Sequence, residues 1–203
     1  MSRYTGPKVR VLRALGTDLP GLTRKTRERR PYPPGQHGQG RRKLSEYALR
    51  LLEKQKLRMN YGLGERQLLN LFVEARATAG NTSERLVELL ERRLDNVVFR
   101  AGFARTIPAA RQLISHGHVL VDGERVDIPS FRVRRGQAIA IRERSKDLAA
   151  VAASLATPLP FPTDWLSVEP ESRRATVSAL PDASAVPFAV NVQLVVEFYS
   201  QRT

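Results

Sequence analysis

The chain has 203 residues, no cysteine, 41% hydrophobic residues and a formal net charge of +14. That composition excludes disulfides and cysteine-ligated zinc, and it leaves room for one or two modest cores. No apolar run approaches the roughly 20 residues needed to cross a bilayer. The charge is lopsided. Residues 1–60 hold sixteen Lys/Arg against four Asp/Glu, residues 61–148 fifteen against eleven, and residues 149–203 three against five. So basic a block repels itself and calls for a polyanion; nucleic acid fits best, because each neutralised phosphate releases counterions. An anionic membrane fits poorly, since residues 1–43 are rich in Gly and Pro rather than patterned as an amphipathic helix. Residues 1–10 are polar and basic with no apolar stretch behind them, so a soluble protein without a secretory leader is expected.

Residues 1–44 read as an extended basic arm. Gly6-Pro7, Pro20-Gly21, Pro31, Pro33-Pro34-Gly35, Gly38 and Gly40 recur too often for long helices. Within the arm, Arg29-Arg30 and Arg41-Arg42-Lys43 flank Tyr32, Gln36 and His37, with Arg3, Lys8 and Arg10 upstream. Arginines grip phosphates bidentately, glycines admit a phosphate close to the backbone, and a Tyr or His ring can stack on an unpaired base. A disordered basic tail has the same composition; the interleaving of ring, amide and glycine favours RNA.

Residues 45–91 read as a helical domain. Ser45 is placed to cap a helix running to about residue 61, with Ala48, Leu49, Leu52 and Met59 on one side and Lys54 and Arg58 on another. Gly62 and Gly64 break it, and Leu68, Leu69, Phe72 and Ala75 mark a second helix. Asn81 and Glu84 have capping-box spacing before a third, whose stripe of Leu86, Leu89, Leu90, Leu94, Val97 and Val98 reads as one continuous helix up to Gly102.

Residues 92–148 read as a self-contained helix–helix–hairpin module. Thr106-Ile107-Pro108 opens a helix with Ala109, Ala110, Leu113 and Ile114 on its inner face and Gly117 at its end. The period then changes to two: Val119, Val121, an Asp122-Gly123 turn and Val126 spell a hairpin. Phe131, Val133, Ala138, Ile139 and Ile141 supply further strands around Gly136. Arg92, Arg93, Arg105, Arg111, Arg132, Arg134 and Arg135 fall in this one small unit, which points to a shared basic surface with Arg111 turned away from the alanines. His116-x-His118 has too few partners to hold a metal. Asp95 and Asp127 read as ion-pairing or turn residues. No phosphate loop, nucleophile elbow or dinucleotide fingerprint is present, so no catalytic site, cofactor, metal or small-molecule substrate is expected.

Residues 149–190 are rich in Ala, Pro and Ser, with Pro158, Pro160 and Pro162, and read as a linker anchored by Trp165. Residues 192–199 read as a closing β-strand packing back on the helical domain. The fold class is therefore α+β: an extended basic arm and helical domain, an inserted helix–helix–β-hairpin module, and a C-terminal β-strand in residues 149–203.

The stretch from Arg92 to Arg100, the Ala109-Ala110-Arg111-Gln112-Leu113-Ile114 run and His116-Gly117-His118-Val119-Leu120-Val121-Asp122-Gly123 resemble an RNA-binding module. That module is named after the fourth protein of the small ribosomal subunit. The flanks are similar to the bacterial-type ribosomal family itself, in a cysteine-free, cyanobacterial or plastid-like form. They comprise Arg3-Tyr4-Thr5-Gly6-Pro7, the Leu22-Thr23-Arg24-Lys25-Thr26 run, the Tyr32-to-Gly38 loop, Glu53-Lys54-Gln55-Lys56-Leu57-Arg58 and Val195-Val196-Glu197-Phe198-Tyr199-Ser200. The resemblance implies a primary binder of 16S ribosomal RNA that nucleates assembly of the 30S body and contributes to translational accuracy. Its implied partners are ribosomal protein five of the small subunit and messenger RNA near the entry channel, on cytoplasmic ribosomes or in the chloroplast stroma if plastid-encoded. Lys54, Lys56, Arg58, Arg105, Arg111, His116, His118, Arg132 and Arg134 join the arm residues, Arg92 and Arg93 as expected RNA contacts. Residues 9–26 lack the zinc-binding cysteines many relatives carry, so they must fold by packing and RNA contact. An RNA-modifying enzyme with the same module would need a catalytic domain for which neither flank has room, and a free stress protein has no use for the arm.

Overall fold

The computed structural model describes residues 4–40, 43–157 and 163–201. Among these are eight α-helices: α1 (Lys8–Leu15), α2 (Glu46–Asn60), α3 (Glu65–Ala77), α4 (Thr82–Glu91), α5 (Leu94–Arg100), α6 (Ile107–Ser115), α7 (Ala149–Leu155) and α8 (Val192–Ser200). The strands are β1 (Val119–Val121), β2 (Glu124–Arg125), β3 (Ala138–Ile141), β4 (Leu166–Glu169) and β5 (Arg174–Val177). The chain divides into two units, one made of residues up to Leu86 together with those from Val186 onward, the other of Val87–Ala185. No described helix is long and apolar enough to cross a membrane.

In the first unit, Ser45 Oγ accepts from the Ala48 N–H at 3.3 Å and starts α2, as its position suggests. Leu57, Tyr61, Leu68, Phe72 and Ala75 are buried together with Val195, Phe198 and Tyr199 of α8, which packs on α2 and α3. Residues 192–199 are thus a helix and not the expected strand. Asn191 accepts from the Leu194 N–H at 3.4 Å, and the buried positions 195, 198 and 199 follow helical spacing. α2 presents Lys54, Leu57 and Asn60 inward, whereas Leu49 stays 43% exposed.

The arm is less extended than its composition suggests. Leu12 of α1 is buried with Leu19 and Leu22, and Val11, Leu15, Met59 and Phe188 pack against them. Gly16, at φ 65°, ends α1 with its N–H on the Leu12 carbonyl. The Gly21 N–H donates to Asn60 Oδ1 at 2.9 Å and pins the chain to the end of α2. Residues 8–22 therefore belong to the folded unit.

In the second unit, the stripe expected to form one helix is two. Arg93 is extended (φ −66°, ψ 136°) and forms a β-bridge with Arg132. The Leu94 N–H donates to the Phe131 carbonyl at 2.8 Å, the Asp95 N–H to that of Pro129 at 3.1 Å, and the Val133 N–H to that of Arg92 at 2.9 Å. Backbone pairing with residues 129–133 breaks the helix and satisfies the first donors of α5. Phe131 and Val133 accordingly serve this bridge rather than a sheet strand. α6 ends as expected, with Gly117 at φ 73°, its N–H on the Ile114 carbonyl and the His118 N–H on that of Leu113. Asp122 (φ 50°) and Gly123 (φ 87°) turn β1 into β2.

The segment expected to be a linker is structured. β4 and β5 form an antiparallel hairpin that joins β3, giving one antiparallel sheet of order β2-β1-β3-β5-β4. Val119, Val121, Ile139, Ile141, Ala175 and Val177 fill its buried face, with Val119 opposite Ile141 and Ile139 opposite Ala175. Trp165 is buried next to β4. The module thus runs on to Ala185, and Pro158, Pro160 and Pro162 lie outside the described residues.

Leu19→Ala should remove a completely buried side chain from the arm core and cost about 2–5 kcal/mol. Hydrogen exchange should show residues 8–22 losing protection before α2 and α3; unchanged protection would mean that this cluster does not hold the arm.

Candidate nucleic-acid interface

Arg3, Arg41 and Arg42 lie outside the described residues. Of the other arm positions, Arg10, Arg29, Arg30, Gln36, His37 and Lys43 are exposed, while Lys8 and Tyr32 are half-buried. The segment carrying them is ordered by Arg13, which sequence reasoning did not single out. Its Nε donates to the Tyr32 carbonyl at 3.0 Å and its Nη2 to the Pro33 carbonyl at 3.3 Å, and its guanidinium carbon sits 5.1 Å from the Tyr32 ring centroid. Beyond this clamp, the Gly38 N–H donates to the Gly35 carbonyl at 3.2 Å and the Gly40 N–H to that of His37 at 3.1 Å. A side chain at Gly38 would run into the Pro33 carbonyl, so this glycine is needed for close approach. Asp18 Oδ1 accepts from the Arg27 N–H at 3.1 Å and orients the chain just before Arg29 and Arg30.

The three basic residues expected on α2 point to other work. Lys54 is 4% exposed, donates to both Glu65 oxygens at 2.8 Å and lies 4.7 Å from the Phe198 ring centroid. Burial works against the Glu65 charge, but the Lys54 ammonium, the Tyr199 hydroxyl at 2.9 Å and Arg58 together hold its carboxyl below the usual glutamate value. Lys56 meets Glu53 at 2.6 Å, and Arg58 donates to the Leu63 carbonyl at 3.3 Å and to Gln55 at 3.2 Å. These groups bind the helical unit together.

A similar division runs through the second unit. Arg93 donates from Nε and Nη2 to the two oxygens of Asp95, at 3.1 and 2.9 Å, and Arg111 Nε donates to Asp95 Oδ2 at 2.8 Å. Asp95 is 1% exposed and also accepts from the Asn96 N–H at 2.9 Å. Arg111 is therefore turned toward this carboxylate and not out from α6. Arg92 is held by Glu88 at 2.7 Å and the Val133 carbonyl at 2.9 Å. Arg132 is half-buried at the bridge to Arg93. The exposed groups are Arg105, His116 and Arg134, together with Arg125, Arg135, Arg142 and Arg144, of which only Arg135 had been grouped with the basic surface. The outer four lie on the hairpin and on the loops flanking β3, where alternation with buried strand residues was the available signal. His118 is half-buried, with Nδ1 2.9 Å from Ser145 Oγ. Among the described residues no group of three His, Asp or Glu is placed to hold a metal ion.

These features define a basic α+β protein in which an ordered arm precedes a helix–helix–hairpin module with an arginine-rich outer surface. The model of the "Ribosomal protein S4/S9 N-terminal domain" matches residues 3–91, and that of the "S4 domain" matches residues 92–139. Small ribosomal subunit protein uS4 of Methylobacillus flagellatus is 56% identical over the whole of both chains. The Synechococcus elongatus uS4 is 53% identical over the same extent, and the Geobacillus stearothermophilus uS4 is 52% identical over 99% of this chain and all of its own. The chain belongs to the small ribosomal subunit protein uS4 family.

Asp95→Asn would leave two guanidiniums without their carboxylate inside the module. It should cost about 3–5 kcal/mol, measured by urea unfolding; a loss under about 1 kcal/mol would return Arg93 and Arg111 to the category of surface pairs.

Proposed function

We propose that the chain is a structural, non-catalytic component of the small ribosomal subunit that binds 16S ribosomal RNA through the arm and the module's exposed arginines. The observation that carries this reading is the sorting of charge. Lys54, Lys56, Arg92, Arg93 and Arg111 are matched by acids within the protein, whereas Arg10, Arg29, Arg30 and Lys43 stand exposed on an ordered arm. Exposed cations on a held backbone suit a phosphate chain, while Tyr32, Gln36 and His37 suit bases that have left their stack. Nucleation of the 30S body, an influence on accuracy, and contact with ribosomal protein five and with messenger RNA at the entry channel are supported by family membership. A place on cytoplasmic ribosomes follows from the same reading.

Removing the whole arm is a poor test, because residues 8–22 form part of the first unit's core. Replacing Arg10, Lys25, Arg29 and Arg30 by Gln should instead lower the slope of log K against log salt, for 16S RNA, by up to about 3–4. An unchanged slope would show that the arm is not a main phosphate contact. Failure of the full chain to bind 16S RNA even at low salt would overturn the whole reading.

Arg13 should behave differently from its neighbours. Since its guanidinium holds the Tyr32 and Pro33 carbonyls, Arg13→Ala should weaken binding at every salt concentration while leaving the slope within about 0.3 of the parent, whereas Arg29→Ala should lower it by roughly 0.7–0.9. A slope loss for Arg13→Ala equal to that of Arg29→Ala would make it a phosphate ligand.

A further inference from the structure

A groove of about 460 Å³ opens on the module beside α6. One wall is the outer stripe of α6 and the loop before it, where Arg105, Ala109, Gln112 and His116 recur at intervals of four, three and four residues. The facing wall comes from α7 and the residue before it, through Leu148, Ala150 and Ala153. That wall lies beyond residue 139, where the match to the S4 domain ends. Small side chains on both walls keep the slot open, and among the described residues its lining includes no carboxylate.

The polar groups sit around this apolar slot. Arg105 donates from Nη2 to the Ala153 carbonyl at 2.9 Å, which fixes the guanidinium beside the groove with further N–H donors to spare. His118 is held by Ser145, and its ring centroid lies 6.0 Å from that of His116, the two planes inclined at 59°. Gln112 is exposed and carries both a donor and acceptors. A flat heterocycle can therefore lie on one imidazole and meet the edge of the other, its rim read by an amide and its phosphate met by an arginine. The volume falls within the range of small-ligand pockets.

We propose that this groove is a single-nucleotide site, taking one unstacked base of the bound RNA with the adjoining phosphate at Arg105. The inference rests on the RNA-binding reading above and adds a place on the protein where a base is read. The charge of the lining favours this occupant over an apolar helix, and an acidic peptide would be a different occupant that the test separates.

Ala109→Leu narrows the groove, keeps every charge and suits a helix. In full-length protein bound to 16S RNA, it should weaken binding about tenfold, the scale of one stacked base, with the salt slope unchanged. Dimethyl sulfate probing should show one base, or two adjacent bases, losing protection while the rest of the footprint stays. Binding and protections identical to the parent would overturn the proposal and point to a protein occupant, leaving RNA binding itself intact. Parent protein that fails to bind 16S RNA would instead sink the reading beneath it. If circular dichroism shows Ala109→Leu unfolded, Gln112→Ala at an exposed position decides: a several-fold loss with the same localised deprotection supports the site, and no change overturns it.

Discussion

A carboxylate with only 1% of its surface in contact with water has to be neutralised where it stands, and the second unit is arranged around that need at Asp95. Arg93 reaches it from two residues upstream with a two-pronged grip, and Arg111 reaches it from α6. Arg93 is also the extended residue that separates α4 from α5, and the Asp95 N–H binds the Pro129 carbonyl. Asp95 thus connects the break between two helices and a third helix through its carboxylate, and the 129–133 segment through its backbone N–H. A second buried pair follows the same logic. Glu91 faces Arg100 at 3.5 Å and accepts from Asn96 at 2.9 Å, while Arg100 Nη2 donates to the Ala185 carbonyl. The acid ending α4 therefore joins α5 to the last residue of the unit.

These internal pairs alter the meaning of the net charge. A formal +14 suggests a molecule coated in cations, yet part of its basic complement is committed before any partner arrives. The commitment is not random along the chain. From α2 through α6, acids are frequent and Lys54, Lys56, Arg92, Arg93 and Arg111 are matched to them. Through the first forty residues acids are scarce, and Asp18 meets a backbone N–H at Arg27. Arg13 is held by the carbonyls of Tyr32 and Pro33 instead, which orders the backbone without neutralising the charge. An arm organised in this way keeps its positive potential while losing its freedom.

What could be read from the sequence was governed by the range of the interaction concerned. Ser45, Thr106 and Gly117 were legible as helix ends, and Asp122-Gly123 as a hairpin turn, because each acts within four residues of itself. The α4–α5 break was not. Its apolar spacing continues through Arg92 and Arg93, and the cause lies some forty residues away in the carbonyls of 129 and 131. α8 looked like a strand because Val192, Val195 and Val196 favour one. Packing of Val195, Phe198 and Tyr199 against α2 and α3 overrode that preference. The basic surface was legible as composition and only partly as position: Lys54 and Arg111 share the residue types of true surface cations, and only the fold brings Glu65 and Asp95 to them. α1 did leave a trace in the spacing of Val11, Leu12 and Leu15 before Gly16, masked by the prolines and glycines around it.

Order in the arm also ties its stability to its partner more closely than elsewhere. A free tail would lose roughly 1–2 kcal/mol of backbone entropy for each residue fixed on binding. Here the Leu12, Leu19 and Leu22 cluster, the Gly21 contact to Asn60 and the Arg13 clamp meet much of that cost during folding. The opposing force is repulsion among cations with few acids between them, set against a core of three buried leucines. A polyanion that neutralises the arm removes that repulsion and binds only the folded form, so by linkage it stabilises the first unit through both effects. The second unit, whose buried charges are matched internally, gains through binding alone. On the proposed function, the RNA would be part of the arm's folding as well as its ligand.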